Sequence, residues 1–357
     1  MKKYTWLLFI LYFGVFVAFG LIFYFKYLDR FFKSGSEPIT VETAKSQEYI
    51  YYSQENNLYR LNPELALDPE SPERNERIQS TGPVSNLDIY QNGSLLAYEV
   101  QVIAGKEIWQ VKTATNESQK IAYQDAPNLE GFKDFSAPKF SPDGIKLAFI
   151  ASGSTDTIII QNLSNLEFFH LTDKFATKIA DFTWTSDSEK IVFCTKGLAS
   201  NLCYLVDVAS GSDQKIIDGE VTQISQSTDS AIIYLIKEAE TANLFRYNLK
   251  TSSADRLTDL KAPKKVSRFS TDKKGEKIAY EVNSEGQSDL YFVGADGANR
   301  IQLTTDSKTT NPVFQGAGQE IGFIRAGDAV YTINFDKTNE QKIVNLEGSV
   351  VKLLLWR

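Results

Sequence analysis

One pattern recurs along the chain from Glu48 onward: a short apolar strand, a polar turn, a second strand ending in an aromatic, a loop, a third strand, and a fourth that ends near Leu-Thr-Asp. The clearest copy, APKFSPDGIKLAFIASGSTDTIIIQNLSNLEFFHLTD, runs from Ala137 to Asp173. Aligned on the second-strand aromatic, the copies fall at Tyr51, Tyr98, Phe149, Phe193, Tyr234, Tyr280 and Phe323, with steps of 47, 51, 44, 41, 46 and 43 residues. A period of about 40–45 residues with four strands per unit is that of a propeller blade. The physical reason is that a single four-stranded sheet cannot bury both of its faces, whereas a ring of such sheets covers each face with a neighbour.

Individual strands agree with this reading. Lys146-Leu-Ala-Phe-Ile, Lys190-Ile-Val-Phe-Cys, Ala231-Ile-Ile-Tyr-Leu, Lys277-Ile-Ala-Tyr-Glu and Glu320-Ile-Gly-Phe-Ile are short apolar runs between turns rich in Asp, Gly and Ser. No long stretch of the body carries a 3.6-residue apolar period, so the expected class is all-β. The first unit begins at Glu48 with the second-strand pattern and lacks a first strand, while the run Val350 to Arg357 resembles a first strand, with Trp356 where Phe140, Trp184 and Phe314 fall. This predicts strand exchange between the two ends of the body, giving seven four-stranded blades over 48–357.

Ahead of the body, Thr5 to Phe25 holds 21 residues without a charge, bounded by Lys2-Lys3 and Lys26, with Tyr4, Trp6, Tyr24 and Tyr27 at the ends. That length covers about 30 Å as a helix, enough to cross a bilayer once. The expectation is a short cytoplasmic segment at 1–4, an uncleaved signal anchor at 5–25, and a polar stalk at 26–47. Ala18-Phe19-Gly20 loosely matches a cleavage site, but the apolar run continues past it. The expected location is the cell membrane, single-pass, with the propeller on the extracytoplasmic side.

Composition narrows the chemistry. Of 38 Lys+Arg and 45 Asp+Glu, five bases and one acid lie in the first 33 residues, which leaves 33 and 44, a net of −11. An acidic body argues against nucleic acid as a partner. His170 is the one imidazole in the chain, so zinc sites built on two histidines are excluded, and any Ser-His-Asp or Cys-His unit would have to run through it. Two cysteines exclude zinc ribbons and iron–sulfur clusters. No catalytic constellation, metal-ligand set or cofactor motif is read from the chain.

Phe140-Ser141-Pro142-Asp143-Gly144 with Leu147-Ala148-Phe149, and Leu290-Tyr291-Phe292 with Asp296-Gly297 and Gln302-Leu303-Thr304, resemble the WD40-like PD40 repeat of TolB-type propellers. The resemblance covers most of the body and is strongest in the third and sixth units. It implies a β-propeller. TolB has six such blades, which makes six the alternative to seven, and it is soluble with a separate amino-terminal domain. The same repeat also forms the propeller of prolyl-oligopeptidase-like peptidases, which a hydrolase domain follows.

Four local features are singled out. Pro142-Asp143-Gly144 reads as a structural hairpin turn, since Pro presets φ, Asp bonds the local backbone and Gly accepts positive φ. Cys194 and Cys203, on neighbouring strands of one unit, are candidates for a disulfide in an oxidising compartment and otherwise are small buried hydrophobes. The insertion Asp125 to Phe135 lengthens the connection between the second and third blades and shares a face with the loops 151–156, 196–201, 237–241 and 283–287. Phe132, Lys133, Asp134 and Phe135 are its candidate binding residues, with the two phenylalanines as aromatic anchors. A second insertion, 63–77, is acidic and Pro-containing and emerges on the opposite face. The expected function is a non-enzymatic scaffold that binds a protein or envelope component through the loop face. The alternative is a propeller hydrolase or lyase with a metal held in an acidic central channel.

Overall fold

The computed structural model describes residues 48–356 except 56, 66–74, 79–81, 91–92, 198–200, 228–229, 317, 328 and 346–350. The expected anchor and stalk, and the middle of the 63–77 insertion, lie outside the described residues. Among the described residues no helix is long and apolar enough to cross a membrane.

The described strands form seven four-stranded antiparallel sheets. In blades 2 to 7 the strands are consecutive along the chain; blade 3, for example, comprises Asp134–Phe140, Lys146–Ser152, Asp156–Asn162 and Phe168–His170. Blade 1 is composite. Its order is Val351–Trp356, Ile50–Gln54, Asn57–Leu61, Asn75–Ile78, and Trp356 lies opposite Ile50. The first strands of successive blades, Val351–Trp356, Val84–Ile89, Asp134–Phe140, Lys178–Trp184, Glu220–Gln226, Lys265–Thr271 and Thr309–Phe314, each touch the next, and the last touches Val351–Trp356 again. That places the first strands at the axis and closes a seven-bladed ring, so seven holds over six.

The core is divided rather than central. One apolar cluster fills each of the seven blade interfaces, from Ile50, Tyr52 and Trp356 against Val313, Ile324 and Val330 between blades 1 and 7, to Phe193 and Trp184 against Ala148, Ile150 and Ile158 between blades 4 and 3. Period-two alternation in the second strand serves two interfaces at once. Phe193 faces blade 3, while its neighbours Val192 and Cys194 face blade 5.

The second-strand aromatics Tyr98, Phe149, Phe193, Tyr234, Tyr280 and Phe323 are all buried and face the preceding blade. In blade 1 the alignment is off by one. Tyr51 faces blade 2, and Tyr52 occupies the equivalent place against blade 7. The register shows why: Tyr52 lies opposite Tyr59 as Phe193 lies opposite Tyr204 and Tyr280 opposite Tyr291. These cross-strand pairs stack at 5.2, 5.5 and 5.6 Å between ring centroids. Two adjacent tyrosines, both buried, gave the sequence two matching positions and no means of choosing.

Pro142-Asp143-Gly144 forms the hairpin between the first and second strands of blade 3. The Asp143 carboxylate accepts from the Ile145 N–H at 3.0 Å, Gly144 adopts φ 71°, and a Cβ there would fall 2.1 Å from the Tyr90 ring. Cys194 and Cys203 are directly opposed on the second and third strands of blade 4, buried at the interface with blade 5, and joined by a disulfide.

Candidate binding site at the axis

In every blade the register between the first and second strands slips once, near the start of the first strand in blades 2 to 7 and at residue 354 in blade 1. A bulge of this kind adds one residue to one strand and re-aims its side chain. In blades 2 to 7 the slip falls at or next to the residue before the apolar position opposite the second-strand aromatic, and in blade 1 it falls just after that apolar position. Round the ring the residue before that position is Lys352, Asn86, Ala137, Asp181, Gln223, Arg268 and Asn311, polar in six of seven blades. Ala137 and Asn311 take φ of 53° and 56°, the left-handed region, and each precedes a proline. The result is a polar girdle at one level of the axis.

Most of this girdle is spent on joining blades. Glu99, on the second strand of blade 2, has no exposed side-chain surface. Its Oε1 accepts from the Ser85 hydroxyl at 2.6 Å and from the Lys106 ammonium at 2.6 Å. Its Oε2 accepts from the Asn86 amide at 2.6 Å and, across the interface, from the Ala137 N–H at 3.1 Å. Burial alone would raise this carboxyl, but Lys106, Ser85 and Asn86 together hold it below the usual carboxylate range. Glu281 repeats the arrangement in blade 6, accepting from Ser267 Oγ at 2.8 Å, Ser288 Oγ at 3.2 Å and the Asn311 N–H of blade 7 at 3.0 Å. Asp181 of blade 4 accepts from Lys139 of blade 3 at 2.8 Å and from the Ile224 N–H of blade 5 at 3.0 Å. Gln223 of blade 5 both accepts from the Phe269 N–H and donates to the Phe269 carbonyl of blade 6, at 3.1 and 2.7 Å. Asp88 accepts from the Phe140 N–H at 2.8 Å.

The cations are less fully committed. Lys352 donates to the Ser85 carbonyl at 2.6 Å, and Arg268 donates to the Asn311 side chain. Burial pushes the Lys352 ammonium down from its usual range, and the nearby positive charges of Arg268 and Lys106 push in the same direction against Glu99.

The loop residues expected to bind are divided by the fold. Phe135 lies on the first strand of blade 3 and is fully buried in the interface with blade 2, edge-on to Phe149 at 6.1 Å, so it is core and not an anchor. Phe132 is half-buried on the same cluster and lies 5.6 Å from the His170 ring. Both aromatics fold back because the inserted turn closes over the apolar rim left by Ala126 and Leu129, also buried. Asp134 accepts from the Lys106 N–H at 2.9 Å, tying the insertion to the second-third hairpin of blade 2. Lys133 is exposed, and Ile103 at the tip of that hairpin is fully exposed. His170 is at the edge of blade 3 with Nδ1 3.0 Å from the Asp173 carboxylate. Among the described residues no three His, Cys, Asp or Glu side chains converge to hold a metal.

Reading the chain repeat by repeat did not find the girdle. A signal for it exists: Val84-Ser-Asn-Leu, Ile179-Ala-Asp-Phe, Val221-Thr-Gln-Ile and Val266-Ser-Arg-Phe share an apolar residue, a small residue, a polar residue and an apolar residue at each blade's start.

No family model and no curated protein matches this sequence. Solved structures with the same fold do. TolB from Acinetobacter baumannii superposes with a TM-score of 0.54 at 16% identity, over 74% of this chain and 66% of that one, so this chain spans a little under two thirds of that protein's length. An oligogalacturonate lyase from Vibrio parahaemolyticus gives 0.58 at 12% identity, covering 86% and 88%. The propeller domain of the trilobed protease from Pyrococcus furiosus, described as having an open velcro topology, gives 0.60 at 15% identity, covering 84% and 95%. At these identities the likeness is one of fold. The chain is a seven-bladed β-propeller, and it shares the propeller fold with these proteins.

Proposed function

We propose that the chain is a non-enzymatic binding scaffold, anchored in the membrane through residues 5–25, whose extracytoplasmic propeller engages a protein or other envelope partner. It does so through the face that carries the blade-to-blade connections and the loops between second and third strands. The observation that carries this reading is the state of the axial carboxylates. Glu99, Glu281 and Asp181 each accept from lysine, amide, hydroxyl or backbone N–H groups of the same or a neighbouring blade. Their hydrogen-bonding capacity is used in holding the ring, which leaves little for proton transfer or metal ligation. A disulfide in blade 4 is consistent with an oxidising compartment, and the acidic body disfavours nucleic acid.

With Phe135 buried, the contact face rests on Ile103, Lys133 and the mouth of the axis beside them. Photo-crosslinking in intact cells tests this. A crosslinker at Ile103 or Lys133 is expected to capture a protein partner, and one at Leu166, exposed on the third-fourth turn of the opposite face, is not. Equal capture from both faces, or protection of the propeller from protease added outside the cell, would overturn the assignment.

A further inference from the structure

The girdle is electrically lopsided. On the side of blades 3 and 4 it is neutral, because Lys139 and Asp181 pair at 2.8 Å. On the side of blades 6, 7 and 1 it presents Arg268, Asn311 and Lys352. Two carboxylates border this sector: Glu281 lies opposite Arg268 in the register of blade 6, and Glu99 acts on Lys352, so three cations, Arg268, Lys352 and Lys106, stand against two acids. Lys106 is joined to the same network through Glu99 at 2.6 Å and is half-exposed. Lys264 and Lys265, at the start of the first strand of blade 6, are exposed at the same end. Lys352 is half-buried, and the charges of Arg268 and Lys106 both oppose its ammonium while Glu99 supports it. Such a cluster is stabilised when an anion enters it, and here it belongs to a body, residues 48–357, whose 32 bases and 42 acids give a net charge of −10.

We propose that Arg268 and Lys352, with Lys106 beside them, form a carboxylate site that takes an acidic peptide segment of the partner into the mouth of the axis. This deepens the scaffold reading and rests on it. A peptide segment fits better than a long polyanion. A uronate chain carries charge along its whole length, whereas a segment with a few Asp or Glu side chains matches the few cations of this sector. Arg268 supplies a planar fork suited to a carboxylate, and Lys352 a point charge that completes the neutralisation.

The test uses the full chain in detergent micelles and fluorescent hexaglutamate, with hexaglutamine and oligogalacturonate as comparison ligands. Hexaglutamate is expected to bind, to weaken as NaCl is raised, and to lose about tenfold to a hundredfold in affinity in R268Q and in K352Q. K250Q, in an exposed turn of blade 5, is expected to bind as the parent does. Both girdle variants are expected to melt at or above the parent temperature, since each removes one of three neighbouring cations; if R268Q fails to fold, K352Q decides the matter alone. Absent hexaglutamate binding, equal binding in the variants, equal binding of hexaglutamine, or preference for oligogalacturonate would each overturn the proposal. Crosslinking from Ile103 and Lys133 separates the two readings. Partner capture that persists while hexaglutamate fails to bind sinks the carboxylate site and leaves the scaffold standing. Hexaglutamate binding without partner capture does the reverse.

Discussion

The backbone N–H of Ala137 in blade 3 donates to the carboxylate of Glu99 in blade 2 across 3.1 Å. Four blades further round, Asn311 does the same to Glu281 at 3.0 Å. In both places the donor sits in the left-handed region, the acid follows a second-strand tyrosine, and a serine from the first strand of the acid's own blade caps the other oxygen. A non-glycine residue in that region costs about 1 kcal/mol or more, and a charge-assisted bond contributes about 1.5–3 kcal/mol. The bond is large enough to offset the strain, which is how the bulge is held.

Glu99→Ala should therefore destabilise the ring by about 3–5 kcal/mol, because it strands the Ala137 N–H and uncouples Lys106. Glu281→Ala should cost a similar amount, and the double variant the sum, since the two acids serve separate interfaces. Urea unfolding measures all three; a loss under 1 kcal/mol for either single variant would remove the carboxylate from the list of blade fasteners.

Acid should act through the same group. Glu99 is held below its ordinary value of 4.5, so its contribution is fully present above pH 4.5 and is lost as the pH falls through the lower folded value. Parent protein should lose stability progressively below pH 4.5, and E99Q should show a flatter profile there. Identical slopes in denaturation series at several pH values would contradict this.

Alkali should reveal the second-strand tyrosines. Burial pushes Tyr51, Tyr52, Tyr98, Tyr234 and Tyr280 up to about 12 from 10.0. Stability from keeping them neutral is intact below pH 10 and drains away as the pH rises from 10 toward 12. Ultraviolet titration should show a late group of tyrosines ionising together with unfolding near pH 12, after the exposed ones. A single smooth transition centred on 10 would mean the tyrosines are not packed between blades.

Reduction of the Cys194–Cys203 bond should lower stability by about 2–3 kcal/mol, the value for a loop this short. Protein isolated from cells under alkylating conditions should carry no free thiol at either position. Full alkylation of both would show that the bond does not form in the cell.

Trp356→Ala should cost about 3–5 kcal/mol, since Trp356 is fully buried between blades 1 and 7 and touches Gly322. Deleting residues 353–357 should abolish the cooperative transition of the whole ring, and an unchanged melting curve would refute closure by this strand.

The repeat made the fold legible because each blade writes its own apolar alternation into consecutive residues. Trp356 betrayed the composite blade for the same reason, as a first-strand residue matching the first strand that the unit at Glu48 lacks. What was not legible arises between blades. Whether Tyr51 or Tyr52 faces blade 7 depends on a bulge in the Val351–Trp356 strand, about 300 residues away. Phe135 reads as a loop aromatic until the Asp125 to Phe135 insertion is seen to end inside a first strand. The girdle escaped for a similar reason: Lys352, Arg268 and Glu99 come from three blades, and only ring closure makes them neighbours.

Closure by Val351–Trp356 also bears on how the protein is made. Glu48 leaves the ribosome early, yet the second strand of blade 1 has an open inner edge until residues about 300 positions later are synthesised. During that interval Ile50–Gln54 is an unpaired apolar edge of the kind that attracts other strands. A chain synthesised in this order would gain from a chaperone that covers this edge until the last strand docks. Its folding rate should be limited by the last strand docking rather than by any blade forming.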